Sequence, residues 1–287
     1  MPIFLGNRQV QLASLGSLAV SDIQQNVLDL DTVAFAAVTG ITGSAVTAVN
    51  NLVVSLKREN IWNNLYAIYP MVGANANSHK YNLKNPQDTN GAYRLNFQGG
   101  WTHNSDGAKP DGISGTYADT FAVPSTLFVA SIASAIPSSG SLSYFSFTNN
   151  TATGTPFEIG ATGASRSGEC SIIMRDGASN QFHVFAGTDT GTAAASSDGF
   201  SVYSIGQLGD NTKVDFKNGV QIQSGTVGGT TLTTRSLFLA ACNDGTTSLG
   251  NSNRGCSFAT IGLFISNMTT FSTIVNNFQI ALGRYSY

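Results

Sequence analysis

Short runs of alternating apolar and polar residues, separated by turn residues, fill most of the chain after residue 64. The clearest run covers residues 214–222, where Asn218-Gly219 stands between two alternating halves, the strongest local signal for a β-hairpin. Further runs lie at residues 65–72, 92–97, 127–132, 142–147, 170–174, 181–185, 200–205, 236–242 and 256–265. Because the intervals between runs are short and rich in turn residues, we predict an antiparallel β-sandwich.

The low charge of the chain supports this prediction and excludes other classes of protein. Asp, Glu, Lys and Arg make up 10% of the 287 residues, against about 25% in an average soluble domain. A helical bundle needs more charged residues on its exposed faces. The net charge of −2, with scattered basic residues, argues against a nucleic-acid partner, and the aromatic content of 10% argues against disorder.

Two segments have the periodicity of helices instead. Residues 29–60 are predicted to be helical, with a main helix at about 42–60 and a second predicted helix at residues 267–282. The apolar stripe of the main helix consists of Ala45, Val46, Val49, Leu52, Val53 and Leu56. The predicted N-caps are Thr42 for the main helix and Ser266 or Thr269 for the second helix.

The first twenty residues contain a short repeat. A Leu-Gly pair followed by valine occurs twice, and the repeated positions are Leu5, Gly6, Val10, Leu15, Gly16 and Val20. Two such units, each a short strand turned at a glycine, cannot bury a core by themselves. We therefore expect residues 1–25 to serve oligomerisation or attachment, with a plain hairpin on the main domain as the alternative.

The sequence contains no pattern for export or membrane insertion. The N-terminus lacks the basic region and the uninterrupted apolar region that together make a signal peptide. The apolar segment at residues 33–56 is interrupted by threonine, glycine and asparagine, so we do not expect it to cross a membrane.

The three cysteines are Cys170, Cys242 and Cys256. Their odd number and the lack of a C-x-x-C spacing argue against a disulfide framework and against a zinc site. We expect reduced, half-buried thiols. A disulfide between Cys242 and Cys256, facing each other across a hairpin, remains as an alternative.

Patterns of catalysis and metal binding are missing from the sequence. A glycoside hydrolase needs two carboxylates beside the scissile bond, and Glu158 and Glu169 would form such a pair if they faced each other across a loop. The simpler expectation is two exposed charges beside a turn. His79, His103 and His183 stand far apart and follow no zinc-ligand spacing. We therefore expect no enzymatic activity, no catalytic residue and no cofactor.

Two loops carry side chains suited to binding a sugar. Sugar sites combine an aromatic face with a few directed hydrogen bonds, and residues 99–119 and 243–255 offer both. The candidate ligand-binding residues are Trp101, His103, Asp106, Asp111, Asn243, Asp244, Asn253 and Arg254, and the first loop also holds Lys109, Tyr117 and Asp119. Calcium would need several converging oxygens. The alternative is that Trp101 is a core aromatic residue and that both loops are ordinary connections.

Several segments resemble known families. FKNGV at residues 216–220, LFLAA at 237–241 and FATIGLFI at 258–265 resemble the laminin-G/pentraxin/concanavalin A-like lectin jelly roll. Over residues 28–287 the chain is similar to tailed-bacteriophage virion proteins that carry a concanavalin A-like domain. The segments that carry this resemblance are LKRENIW at 56–62, AIYP at 67–70, HKYNLKNP at 79–86, GGWTH at 99–103, GAKPDG at 107–112 and FQIALGR at 278–284. The N-terminal repeat resembles the repeats of phage fibre and appendage proteins.

This resemblance implies a concanavalin A-like antiparallel jelly-roll sandwich in a virion protein that is assembled in the host cytoplasm. We expect an attachment segment at residues 1–25, a helical segment at 26–64 and the sandwich with its C-terminal helix at 65–287. The expected role is a fibre, appendage or decoration subunit, a homo-oligomer with a trimer favoured. Its expected partners are other virion proteins and a host-surface glycan. A stand-alone carbohydrate-binding lectin module is the alternative, and a glycoside hydrolase is the least favoured function.

Overall fold

A computed structural model of the chain contains two stacked β-sheets and a layer of helices that covers one of them. It describes residues 3–5, 8–10, 27–128, 140–148, 154–176, 181–187, 192–195, 201–207, 212–226 and 232–284. The prediction of a mainly antiparallel β-protein with few helices is confirmed. Its finer assignment to the concanavalin A-like jelly roll stays a prediction.

Nineteen strands and five α-helices lie in the described residues. The strands are β1 Ile3–Leu5, β2 Arg8–Val10, β3 Leu65–Tyr69, β4 Asn96–Gln98, β5 Trp101–Asn104, β6 Gly107–Pro110, β7 Tyr117–Asp119, β8 Gly140–Ser146, β9 Ile159–Ala161, β10 Glu169–Ile173, β11 Gln181–Gly187, β12 Thr192–Ala195, β13 Ser201–Gln207, β14 Thr212–Lys217, β15 Val220–Thr226, β16 Phe238–Leu239, β17 Cys242–Asn243, β18 Ser248–Leu249 and β19 Cys256–Gly262. The helices are α1 Leu30–Thr39, α2 Ser44–Arg58, α3 Ala76–His79, α4 Pro124–Leu127 and α5 Met268–Ala281.

The strands form two large sheets and a separate hairpin. Sheet A has the order β12-β11-β10-β9-β16-β7-β4, with β17 beside β9 and β18 beside β17. Sheet B has the order β15-β14-β13-β8-β19-β6-β5, with β3 also paired to β19. Within the described residues, β17 with β9 is the single parallel pairing between strands of these sheets. The hairpin consists of β1 and β2.

Alternation along the central strands of sheet B creates two cores, since successive side chains of a strand point to opposite faces. Leu142 of β8 and Ala259 of β19 point toward sheet A and form part of the core between the sheets, which we call the sandwich core. Phe145 of β8 and Phe258 of β19 point the other way and pack under α1, α2 and α5, in what we call the helix core.

Helices α2 and α5 lie within two residues of their predicted bounds, but both predicted N-caps were wrong. Gly43, not Thr42, precedes α2 and makes no side-chain capping bond. Helix α5 is capped by Asn267, whose side chain accepts a hydrogen bond of 3.0 Å from the amide of Thr270. The rest of the predicted helical segment is α1, which ends at Gly40 with a φ of 71°, a conformation that glycine adopts without strain.

Two predicted strands are replaced by other structure. The strand predicted at residues 92–97 begins only at Asn96, because residues 90–92 form a 3₁₀ turn. The strand predicted at residues 127–132 does not begin at Leu127, because that residue is the last of α4, a short helix with Pro124 in its first turn. Residues 129–139 lie outside the described residues.

The N-terminal repeat is described only in part. Its first unit contributes to the hairpin, in which Leu5 pairs with Arg8 and Val10 pairs with Ile3. The other repeated positions, Gly6, Leu15, Gly16 and Val20, lie outside the described residues. The role of the repeat in oligomerisation or attachment stays a prediction.

The cysteines differ from the expected arrangement. Cys242 lies in sheet A and Cys256 in sheet B, so the alternative in which they face each other across a hairpin was wrong. Cys170, Cys242 and Cys256 are free and buried rather than half-buried. Burial raises the pKa of the Cys170 thiol, and likewise that of Cys256, to about 12.

Candidate functional site

The two predicted binding loops meet at the outer face of sheet A and enclose a cleft of about 390 Å³. The first loop contributes its last residues, Ser114, Gly115 and Tyr117, and the second contributes residues 243 and 245–248. Phe238 completes the lining. Residues that are more than 120 positions apart in the sequence therefore form one site.

Two aromatic rings line the cleft. Tyr117 and Phe238 stack with their centroids 4.0 Å apart and their planes at 8°. Both project from the outer face of sheet A, because β7 and β16 pair so that Phe238 lies opposite Asp119, two residues from Tyr117. Phe238 is only 7% exposed, whereas Tyr117 is half-buried, so Tyr117 presents more of its ring to solvent.

Hydrogen bonds join the two loops at the edge of the cleft. The Gly115 amide donates to Ser248 Oγ at 3.0 Å, and Asn251 Nδ2 donates to the same oxygen at 2.9 Å. Asn251 Nδ2 also donates to the Thr116 carbonyl at 2.7 Å. Because Ser248 accepts twice, its own hydroxyl proton is left for a third partner.

Asp244 shapes the rim of the cleft. Its carboxylate accepts hydrogen bonds from the amides and the hydroxyls of Thr246 and Thr247, at 2.6–3.1 Å. These bonds lower the pKa of Asp244 to about 2. Since both hydroxyl protons are directed at Asp244, the oxygens of Thr246 and Thr247 offer lone pairs to a ligand.

Asn243 holds the loop in place rather than projecting into solvent. It is 9% exposed. Its Nδ2 donates to the carbonyl of Ser236 at 2.9 Å, and its Oδ1 accepts from the amide of Gly245 at 2.9 Å. Of the two predicted residues, Asn243 therefore lines the cleft, whereas Asp244 supports it from behind by holding Thr246 and Thr247 in place.

The structure separates the other candidates of the first loop from the cleft. Trp101 and His103 lie on β5 at the edge of sheet B, and Trp101 packs against the sandwich core. Asp106 lies in the turn that connects β5 to β6, and Asp111 accepts a hydrogen bond of 2.9 Å from the amide of Ile113. Much of the first predicted loop, residues 99–119, is thus the hairpin of β5 and β6.

His103 is engaged with a second histidine. The Nδ1 atoms of His79 and His103 lie 2.9 Å apart, so one ring donates to the other. Burial, the neighbouring His103 and the Arg284 guanidinium lower the pKa of His79 to about 3. Burial also lowers the pKa of His103. Both rings are therefore neutral at pH 7.

Arg254 is unavailable to a surface ligand, because its side chain is completely buried. Its Nη1 donates to Glu158 Oε1 at 2.7 Å, and its Nη2 donates to the Arg175 carbonyl at 2.8 Å. The prediction of Arg254 as a ligand-binding residue is thereby corrected. Asn253 lies against Gly112, where a side chain on that glycine would contact Asn253 Cβ.

The expectation that Glu158 and Glu169 are exposed charges was also wrong. Both are buried: Glu158 pairs with Arg254, and Glu169 accepts from Arg166 at 2.7 and 2.9 Å. They do not face each other, because the β9–β10 register places Glu158 near Ile172, three residues away from Glu169 along β10.

No group of three or more histidine, cysteine or acidic residues that would hold a metal ion lies among the described residues. The carboxylate of Asp244 in the second loop accepts four hydrogen bonds from its own loop. In the part of the chain that the structure describes, no helix has the length and apolar character needed to cross a membrane.

Sequence reasoning missed Phe238 and the hydroxyl side chains at residues 246–248. Phe238 stands inside an apolar run and reads as a core residue. Leu237 and Leu239 are buried in the sandwich core. Because side chains alternate along a strand, Phe238 between them points to the opposite face, and this alternation could have identified it as a site residue.

No family model and no curated protein matches the chain. Among solved structures, it is similar to the carbohydrate-binding module of a Ruminococcus gnavus sialidase bound to α2,6-sialyllactose, with 8% identity over 48% of this chain and 85% of that chain and a TM-score of 0.38. A mutant Trypanosoma rangeli sialidase that displays trans-sialidase activity matches with 9% identity over 84% of this chain and 40% of that chain, at a TM-score of 0.49. At TM-scores below 0.5, these similarities define neither a family nor a ligand for this chain.

Proposed function

We propose that the chain is a carbohydrate-binding domain and that the cleft between the two loops is its sugar site. The observation that carries this proposal is the combination of the Tyr117 ring with hydroxyl and amide groups in one open cleft. An aromatic face binds the apolar face of a sugar ring, and a small number of fixed polar groups orient its hydroxyls.

The polar groups of the cleft complement a sugar. Ser248 offers a proton, whereas Thr246 and Thr247 offer lone pairs, and a sugar hydroxyl can both donate and accept. All three residues are held by bonds to their own loops, which lowers the entropic cost of binding. The site thus supports the lectin function better than hydrolysis, since Glu158 and Glu169 are both buried and both paired with arginines outside the cleft.

Binding of glycans to the full chain and to a Tyr117→Ala variant tests this proposal. Wild-type protein should bind members of a glycan array, and Tyr117→Ala should weaken that binding at least about tenfold, or about 1.4 kcal/mol. Tyr81→Ala, which removes a half-buried tyrosine outside the cleft, serves as the control and should bind like wild type. Binding by Tyr117→Ala at wild-type strength, or no glycan bound by the wild type, would refute the proposal.

We also propose that the chain forms homo-oligomers as a virion structural subunit, with helix α1 packing against α1 of a second copy. Its outward side carries the apolar residues Leu30, Val33, Ala34, Ala37 and Val38, and Leu30 is 83% exposed. Their spacing is that of one helix face, whereas Phe35 on the opposite side is buried. A helix that is apolar on both sides is usually covered on both.

Three features favour a second copy as the partner of α1. The N-terminal repeat, for which we predict oligomerisation, ends ten residues before α1 begins in the sequence. Ala34 and Ala37 are small enough to let two helices approach closely. The exposed side also carries no like charges that would repel a second copy, since Asp31 pairs with Lys57 of the same chain.

The molecular mass in solution, measured by light scattering after size-exclusion chromatography, tests this second proposal. The wild type should be an oligomer, with a trimer favoured, and Val33→Glu should dissociate it. Val54→Glu is the matched control, because Val54 is a similarly exposed valine on α2 outside the α1 face. A monomeric wild type, or equal effects of both substitutions, would contradict the proposal.

A further inference from the structure

A second hollow, of about 480 Å³, adjoins the sugar cleft. Its lining consists of residues 163–164, 167–168 and 232–235. Arg235 belongs to this hollow and Gly245 belongs to the cleft, and the two residues are in contact. The Arg235 guanidinium therefore lies where the two hollows meet.

The guanidinium of Arg235 is fixed from two directions. Its Nη1 donates to the carbonyl of Thr162 at 2.8 Å. Gly245 covers it from another side, and a Cβ on Gly245 would collide with Nε, Cζ and Nη2 of Arg235. Gly245 has a φ of 85°, so both its conformation and this close approach require glycine.

The remaining edge of this guanidinium has no partner among the described residues. Nε and Nη2 make no hydrogen bond there, and no carboxylate lies within ion-pair distance. Two other arginines do have carboxylate partners, since Arg166 binds Glu169 and Arg254 binds Glu158. Asp244, although next to Gly245 in sequence, directs its carboxylate to its own loop.

The Nε–Nη2 edge presents two parallel N–H groups, which match the two oxygens of a carboxylate. Such a pair forms with little loss of side-chain entropy when the guanidinium is already held in place. If one sugar unit stacks on Tyr117 in the cleft, the next sugar unit of the same glycan, or an acidic substituent of the first, would lie over Gly245 and Arg235. The cleft and the hollow together offer room for more than one sugar unit.

We propose that the glycan bound by this chain is acidic, and that Arg235 binds the carboxylate of a uronic-acid or similar acidic sugar unit. This inference rests on the proposed sugar-binding function and adds the class of sugar. Because the Arg235 contact is between charges at the protein surface, binding weakens as the salt concentration rises.

Pairs of glycans that differ only in the carboxylate test this inference. The probes are trigalacturonic acid and 3′-sialyllactose, each measured beside its carboxyl methyl ester by isothermal titration calorimetry. The wild type should bind at least one acid about tenfold more tightly than its ester. Arg235→Gln should bind the acid and the ester equally, at the strength that the wild type shows for the ester, whereas Tyr117→Ala should weaken both.

The controls separate loss of the charge contact from loss of folding. Arg58→Gln removes an exposed arginine on α2 and should leave the preference unchanged. Arg235→Lys keeps the charge without the paired donors and should retain part of the preference, and thermal unfolding by circular dichroism verifies each fold. Equal binding of acid and ester by the wild type, or an unchanged preference in Arg235→Gln, would overturn this inference alone. If the wild type binds none of these probes nor any array glycan, the sugar-binding function fails with it.

Discussion

His79 and His103 make the stability of the protein depend on pH in a defined direction. The pKa of His79 is about 3 in the folded chain and about 6.5 in the unfolded chain. Below pH 6.5 the His79 ring therefore binds a proton in the unfolded state but stays neutral in the folded state, and folding becomes less favourable as the pH falls toward 3. Since burial also lowers the pKa of His103, it adds to the effect in the same direction.

Unfolding in urea at pH 7 and at pH 5 measures this effect. We expect the wild type to lose about 1–2 kcal/mol of unfolding free energy between the two values because of His79. His79→Gln removes the titrating group, so the variant should lose less over the same interval. Asp244, with its pKa near 2, stays ionised throughout. An equal loss in the wild type and in His79→Gln would show that the ring is not held neutral.

Single residues also mark the limit of what the sequence can predict. Glu158 and Arg254 are 96 positions apart, and the local pattern around each resembles an exposed turn. Only the fold brings them together, where the Met174 amide and the Ser252 hydroxyl also donate to Glu158. A buried charge is tolerated when it is paired and hydrogen-bonded, and that condition depends on distant residues.

At the scale of elements, the N-terminus of helix α5 gives a local test. Asn267 accepts a hydrogen bond from Thr270 and satisfies an amide that the helix leaves free. Asn267→Ala should therefore cost about 1 kcal/mol of unfolding free energy, measured by urea denaturation. The control is Thr273→Ala, an exposed position within the same helix, which should change stability by less than about 0.5 kcal/mol. An equally stable Asn267→Ala would mean that water replaces the cap at no cost.

Elements with strong local periodicity were predictable, and their ends were less so. Helices α2 and α5 and the hairpin of β14 and β15 follow from stripes, alternation and Asn218-Gly219, all of which are encoded within a few residues. The cap of α5 was missed because Ser266, Asn267 and Thr269 are all acceptable caps, and packing of the helix on sheet B decides between them.

At the scale of the whole molecule, the cleft exists because sheet A brings the ends of two distant loops to one place. Sequence composition pointed to both loops, and the structure joins only parts of them, residues 114, 115 and 117 from one and residues 243 and 245–248 from the other. Trp101, the most prominent aromatic candidate, belongs instead to the edge of sheet B. Which side chain of a loop reaches a site depends on strand pairing, and that pairing is set across the whole chain.

Because sheet B is shared by both cores, we expect the sandwich and the helix layer to unfold as one unit. The two tryptophans of the chain report on them separately: Trp62 lies in the helix core, and Trp101 packs against the sandwich core. In Trp101→Phe and Trp62→Phe, the fluorescence of the remaining tryptophan should give the same denaturation midpoint.

Phe258→Ala empties a buried site between sheet B and the helices and should cost about 3–5 kcal/mol of unfolding free energy. This loss of stability should lower the denaturation midpoints of both tryptophan signals together, because β19 carries Phe258 on one face and sandwich-core residues on the other. A shift of the Trp62 signal alone would show that the helix layer and the sandwich unfold independently.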